Sequence, residues 1–344
     1  MNAFNTFSRF HRRAPLALLI STFLTGLGLT ACGGGSDSTT ATTTTATETT
    51  TTGTTATTGT TSSTSTAATS TSGVLCGYAT NAFNSSASVN ATATATWSCS
   101  STLRSLTANG LPDHAVGTFP NNDNPNTIAV QNISASVTVT PTATSVVTPR
   151  VGAMDKPGVA LNGIAFDPGT AGTCSDAGTC QQGGQAVGAW SLEALGQTFF
   201  KWGTDTSNAH VQPNGMYHYH GIPEGLVTKL SKGSMAMTLI GWAADGFPIY
   251  ARYGYTAATD ASSAVKVVKS SYRTKTTPDA NRPATTTTYA MGTFTQDYEY
   301  VAGLGDLDEC NGRTGVTPEF PKGIYHYYAT DTFPHLQRCV KGKL

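Results

Sequence analysis

The chain has 344 residues, 20 basic and 20 acidic side chains and no net charge, and only 12% of its residues are charged. That balance excludes the basic stripe on which nucleic-acid binding depends. There is also no glycine-x-serine-x-glycine elbow and no phosphate-cradling glycine loop, so the usual serine-hydrolase and nucleotide signatures are missing.

At the amino end, Arg9, His11, Arg12 and Arg13 precede an apolar run from Ala14 to Leu29. A basic start and a run shorter than the ~20 residues needed to cross a bilayer read as a secretory signal. The run ends in Leu29-Thr30-Ala31-Cys32, which resembles the lipobox of bacterial lipoproteins. That resemblance implies a signal peptide over residues 1–31, cleavage before Cys32, and lipidation that anchors the chain to a membrane. Gly33 stands where an aspartate would favour inner-membrane retention, so an outer-membrane lipoprotein is expected, its periplasmic or cell-surface side left open. Residues 32–73 are mostly threonine, alanine, serine and glycine without an aromatic residue, which predicts a disordered tether. The folded part, residues 74–344, is then roughly 270 residues, long for one domain but acceptable for a β-rich one.

Lipidation of Cys32 leaves six cysteines, an even number for an oxidising compartment. Pairing between sequence neighbours gives Cys76 with Cys99, Cys174 with Cys180, and Cys310 with Cys339, one of fifteen connectivities. No CxxC pair suggests a thiolate metal site. Ile133, Ala135, Val137 and Val139 alternate with Ser134, Ser136, Thr138 and Thr140, the period of a half-buried strand. Val265 to Val268 and Tyr298 to Val301 are shorter strand candidates, and Trp190 to Leu195 is the one helix candidate. Frequent Gly, Pro and Asn complete the pattern of an all-β antiparallel sandwich, with jelly-roll or Greek-key order unresolved.

The stretch with chemical content is Met216-Tyr217-His218-Tyr219-His220. Imidazoles at i and i+2 of an extended strand project from one face. Pro213-Asn214-Gly215 before them suits a tight turn joining two antiparallel strands. The resulting register sets His210 opposite His218 and Asn208 opposite His220, bringing three histidines to one face. Pro321-Lys322-Gly323-Ile324-Tyr325-His326-Tyr327-Tyr328 repeats the spaced pattern and predicts an equivalent hairpin, with His326 in the place of His218, Tyr328 in that of His220 and Pro318 in that of His210.

The expected site is one transition metal on His210, His218 and His220, completed by His326 or Glu224. Three neutral imidazoles in an oxidising compartment suit copper or zinc, and Glu224 would also admit iron or manganese. Tyr217, Tyr219 and Asp245 are candidates for groups that orient the ligands, with Asp113-His114 a further acid–imidazole pair. The alternative is a cell-surface module without metal that recognises glycans or peptides through the tyrosines and the polar segment Asp308 to Arg313. Asp306, Asp308 and Glu309 read first as loop-fixing groups, because adjacent Asp308 and Glu309 would face opposite sides of a strand. No catalytic residue is assigned, and whether the protein is an enzyme stays open.

The tetrapeptide Tyr217-His218-Tyr219-His220 resembles the signature of the bacterial YHYH proteins. Leu161 to Pro168, Ala209 to Gly215, Gly241 to Tyr250 and Leu307 to Arg313 carry the same resemblance across most of the folded part. It implies membership of a secreted group and no particular reaction. A weaker similarity links His218-x-His220, Glu224 and Gly315-x5-Pro321-x-Gly323-x2-His326 to the cupin motifs, which implies three histidines and a glutamate around one metal.

Overall fold

A computed structural model of the chain describes residues 75–151, 155–284 and 288–344. The expected signal segment 1–31, Cys32 and the expected tether to residue 73 lie outside the described residues. The first strands are β1 (Ala79–Asn84), β2 (Ala91–Cys99), β3 (Leu103–Ala108) and β4 (Ile133–Thr138), paired antiparallel in chain order. Ala93, Ala95 and Trp97 of β2 and Leu106 and Ala108 of β3 are buried at every second position, as a half-buried sheet requires. β4 is the alternating strand expected from Ile133. β5 (Ala143–Pro149) is followed by β6 (Gly158–Ala160), β7 (Ala165–Phe166) and a small sheet of β8 (Gly172–Cys174), β9 (Cys180–Gln182) and β10 (Trp190–Ser191).

Next come β11 (Ala209–Val211), β12 (Tyr217–Tyr219) and helix α1 (Glu224–Leu230). β13 (Thr238–Ala243) and β14 (Pro248–Ala251) form a hairpin. Two short ladders follow, β15 (Tyr253–Tyr255) with β16 (Val265–Val267), and β17 (Tyr272–Thr274) with β18 (Tyr298–Tyr300). The chain ends with β19 (Gly312–Gly315), β20 (Ile324–Ala329) and β21 (Cys339–Gly342), the last paired with β5.

The expected all-β class holds, and strands are present at Val265 and Tyr298 as anticipated. The helix expected at Trp190 to Leu195 is not there. Trp190 and Ser191 pair with β8, Leu192 bridges Phe294, and Glu193 is buried in an ion pair with Arg338, so both sides of the segment are used and no helical face remains. Helix α1 is anchored in the core by Leu226. The cysteine pairs are Cys76–Cys99, Cys174–Cys180 and Cys310–Cys339.

An eight-stranded mixed sheet in the order β11-β12-β7-β6-β13-β14-β20-β19 organises the molecule. One face packs Phe166, Tyr217, Tyr219, Ile249, Tyr325 and Tyr327 with Leu226 of α1. The other packs Trp242, Tyr250 and Tyr328 against Trp97 and Leu106 of the four-stranded sheet, fastened by the Trp97 indole N–H to the Leu161 carbonyl at 2.8 Å.

The sheet is an internal repeat. In each half an antiparallel hairpin (β6–β7, β13–β14) lends its second strand to a parallel partner (β12, β20), which in turn pairs antiparallel with an outer strand (β11, β19). The halves meet where β6 and β13 pair as Ala160 with Gly241, Val159 with Trp242 and Gly158 with Ala243. Exchanging the halves maps that ladder onto itself about the Val159–Trp242 pair. The equivalence extends to single contacts. Asn162 and Asp245 precede glycines at φ +84 and +88 and bond the hydroxyls of Tyr219 and Tyr327, while Tyr217 and Tyr325 donate to Asp205 and Asp308. Asn208 and Asn311 both take the left-handed conformation, at φ 55 and 60.

Gly163 sits at the β6–β7 turn, where a Cβ would also come within 2.4 Å of the Ala108 Cβ. Gly163→Ala is expected to destabilise the protein by at least about 1–2 kcal/mol, because the left-handed conformation alone costs that for an L residue. A lowered urea midpoint in equilibrium unfolding checks it.

Candidate metal centre

The Pro213-Asn214-Gly215 turn closes as expected, with Gly215 at φ +84. It sets the register Ala209–Tyr219, His210–His218, Val211–Tyr217. His218 and His220 therefore leave β12 on one face and meet His210 from β11. His220 Nε2 lies 3.0 Å from His218 Nε2 and 3.1 Å from His210 Nε2, and the three rings stand 4.7 Å apart, centroid to centroid, in every pair. They are 8%, 1% and 2% exposed for His210, His218 and His220. Among the described residues, these three form the group of His, Cys and acidic side chains able to hold a metal ion.

Their protons are constrained. His210 Nδ1 lies 2.7 Å from the Trp202 carbonyl and His218 Nδ1 3.2 Å from the Met216 carbonyl. A carbonyl only accepts, so both Nδ1 atoms carry the proton and both Nε2 atoms present lone pairs. Burial, the largest effect on each ring, moves all three imidazoles below the ordinary histidine range, and neighbouring imidazoles push His218 and His220 further down. His220 Nδ1 is buried without a hydrogen-bond partner. At most one N–H, on His220 Nε2, is then available to two converging lone pairs. Among the three rings themselves one N–H cannot fully serve two lone pairs, and a cation placed between the three Nε2 atoms would engage all of them. Bonds of about 2.0–2.1 Å at tetrahedral angles need N–N separations of about 3.3 Å, a few tenths more than those present.

The repeat supplies an internal comparison. His326 on β20 is the equivalent of His218 and likewise donates from Nδ1 to a carbonyl, Ile324, at 2.9 Å. Its Nε2 accepts instead from the Tyr328 hydroxyl at 3.0 Å, a donor in the place of His220. Opposite His326 stands Arg313, not Pro318. The second hairpin has a loop five residues longer than the first, so counting back from the shared turn motif selects the wrong residue. Both ring nitrogens of His326 are thereby satisfied by hydrogen bonds.

Other expected site residues fall elsewhere. His326 lies in the other half of the sheet and does not join the triad. Glu224 opens α1 and its carboxylate is held by Arg252, at 3.1 Å for one of the two contacts. The cupin-like set of three histidines and a glutamate is therefore not assembled. Tyr217 and Tyr219 point to the opposite face from the histidines, as strand alternation demands. Tyr217 bonds Asp205 at 2.7 Å, and Tyr219 bonds His114 Nε2 at 2.6 Å and Asn162 at 2.9 Å. Asp245 accepts from Tyr327 and the Gly342 N–H in the second half, so it does not orient the triad. All five tyrosines of the two hairpins are buried, which removes the aromatic face a recognition module would present. Asp308 fixes its own loop, accepting the N–H groups of Cys310 and Gly312 at 3.0 Å.

Asp167, absent from the expected site, also stands beside the triad. Its Oδ2 lies 3.9 Å from His218 Nε2, accepts from Gln212 at 3.2 Å and pairs with Lys156. The available signal was its place in the segment Leu161 to Pro168, already set apart by resemblance.

Fold and site together define an all-β protein with a buried three-histidine centre, and its three disulfides belong to an oxidising, extracytoplasmic compartment. Among the described residues no helix is long and apolar enough to cross a membrane. The family described as YHYH protein matches residues 134–342, more than half of the chain, and the chain belongs to that family. No curated protein and no solved structure matches it.

Two further imidazoles make stability depend on pH. Burial lowers His326 and His335 to about 4, with Arg313 and Arg338 respectively adding to the effect. The unfolded chain protonates near 6.5, above the folded value, so the stabilisation is complete above pH 6.5 and is lost as pH falls from 6.5 towards 4. Each ring contributes about 3 kcal/mol over that window at 1.36 kcal/mol per unit. Urea unfolding in the presence of a chelator, repeated from pH 7 to 4, is expected to show a falling midpoint.

Proposed function

We propose that this protein is an extracytoplasmic, lipid-anchored metal-binding protein that holds one transition ion through His210, His218 and His220. The observation that carries the proposal is the convergence of three buried Nε2 atoms whose protons cannot satisfy one another, beside a repeat in which the same histidine is satisfied by a tyrosine. Neutral imidazoles favour copper or zinc. Acylated Cys32 attaches the chain to the outer membrane, and residues 32–73 act as the tether between the anchor and the folded domain of residues 74–344. The membrane is its proposed partner through that anchor alone.

The test is elemental analysis of the full chain beside a His218→Ala, His220→Ala double variant. One metal equivalent in the parent and none in the variant, with unfolding still cooperative, is the expected outcome. A parent free of metal after reconstitution with copper and zinc would rule the function out.

A further inference from the structure

Asp167 is a nearly sealed carboxylate beside a cluster of imidazoles, and burial of a charge is tolerated only where it is paired. Its present partners are Lys156 and Gln212. The two halves of the sheet place Asp167 beside the histidines. β7 runs parallel to β12 with Tyr219 opposite Phe166, so His220 and Asp167 are the next pair along. β14 runs parallel to β20 with Tyr328 opposite Tyr250. Tyr250 is thus the equivalent of Asp167, as Tyr328 is of His220 and Arg313 of His210. The second half lacks two imidazoles and the carboxylate together. It keeps the residues that build the hairpin: Asp308 for Asp205, Asn311 for Asn208, Tyr325 for Tyr217 and Tyr327 for Tyr219. Structural residues are shared between the halves, and the nitrogen and oxygen donors differ as a set.

We propose that Asp167 is the fourth protein ligand of the ion held by His210, His218 and His220, and that its carboxylate exchanges Lys156 for the metal on binding. This rests on the metal-binding function above. The exchange involves no electron transfer, since one Asp167 oxygen leaves the Lys156 ammonium, which keeps its proton, and donates to the ion. Lys156 keeps 18% of its side-chain surface exposed, which gives its ammonium a route to solvent when the carboxylate leaves it. Three imidazoles with one carboxylate suit a divalent ion such as Zn(II), with Fe(II) or Mn(II) also accommodated, over Cu(I), which prefers soft ligands. The carboxylate that completes the site is then Asp167 and not Glu224.

Co(II) provides the spectroscopic probe and Zn(II) competition the affinity, both on the full chain. In Asp167→Asn the visible Co(II) spectrum is expected to change and Zn(II) affinity to fall more than about 100-fold with one site retained, since even groups behind the ligands typically contribute 10–100-fold. In Lys156→Met, where the competing cation is gone, Zn(II) is expected to bind about 10-fold more tightly. An unchanged Co(II) spectrum in Asp167→Asn, or binding no tighter in Lys156→Met, would overturn the ligand role while leaving the three-histidine site standing. Failure of the parent to bind either ion would overturn both. Should Asp167→Asn not fold, the Lys156→Met affinity decides the matter.

Discussion

The β11–β12 hairpin must bury two sets of side chains at once, tyrosines on one face and histidines on the other, and the two-residue period of the strand gives it no freedom in how to do so. Tyr217 and Tyr219 fill the core and hold Asp205, Asn162 and His114 by their hydroxyls. The same pleat drives His218 and His220 together under His210. The centre is thus tied to the packing of the opposite face, and a register slip of one residue would bury the imidazoles among apolar groups and expel the tyrosines.

Rigidity at the centre comes from main-chain acceptors. The carbonyls of Trp202 and Met216 fix the tautomers of His210 and His218, which a side-chain acceptor could do only with rotamers of its own to restrain. The Gln212 side chain, from the end of the same hairpin, reaches Asp167. The turn that sets the strand register therefore also sets the distance from the imidazoles to the acid.

Local chemistry was legible in the sequence. The Pro-Asn-Gly turn and the histidine spacing yielded the register of His210, His218 and Asn208, and neighbour pairing yielded the three disulfides. The opposite face of Tyr217 and Tyr219 follows from the same alternation, so assigning them to orient the histidines overlooked a rule already in use. What the sequence could not reveal came from long connections. Asp167 reaches the site along a parallel pairing with a strand some fifty residues later, and parallel pairs leave no turn signal. Arg313 was hidden by a longer loop in the second hairpin, and Glu224 by Arg252, which removes its carboxylate from use. Leu192 and Glu193, in the expected helix, were claimed by tertiary partners, Phe294 and Arg338, that no local pattern names.

The seam between the halves carries a consequence of its own. Gly158 and Gly241 face each other's strands so closely that an added Cβ would meet the carbonyl oxygens of Trp242 and Val159 at 2.6 and 2.4 Å. A ladder that maps onto itself about one residue pair has the form of an isologous contact between two identical subunits. In such a dimer any substitution strikes both copies, and a loss of donors at one site is a loss at both. Within a single chain that bond is broken, so one lobe can hold its polar centre closed with Arg313, His326 and Tyr328 while the other retains nitrogen donors for a different use.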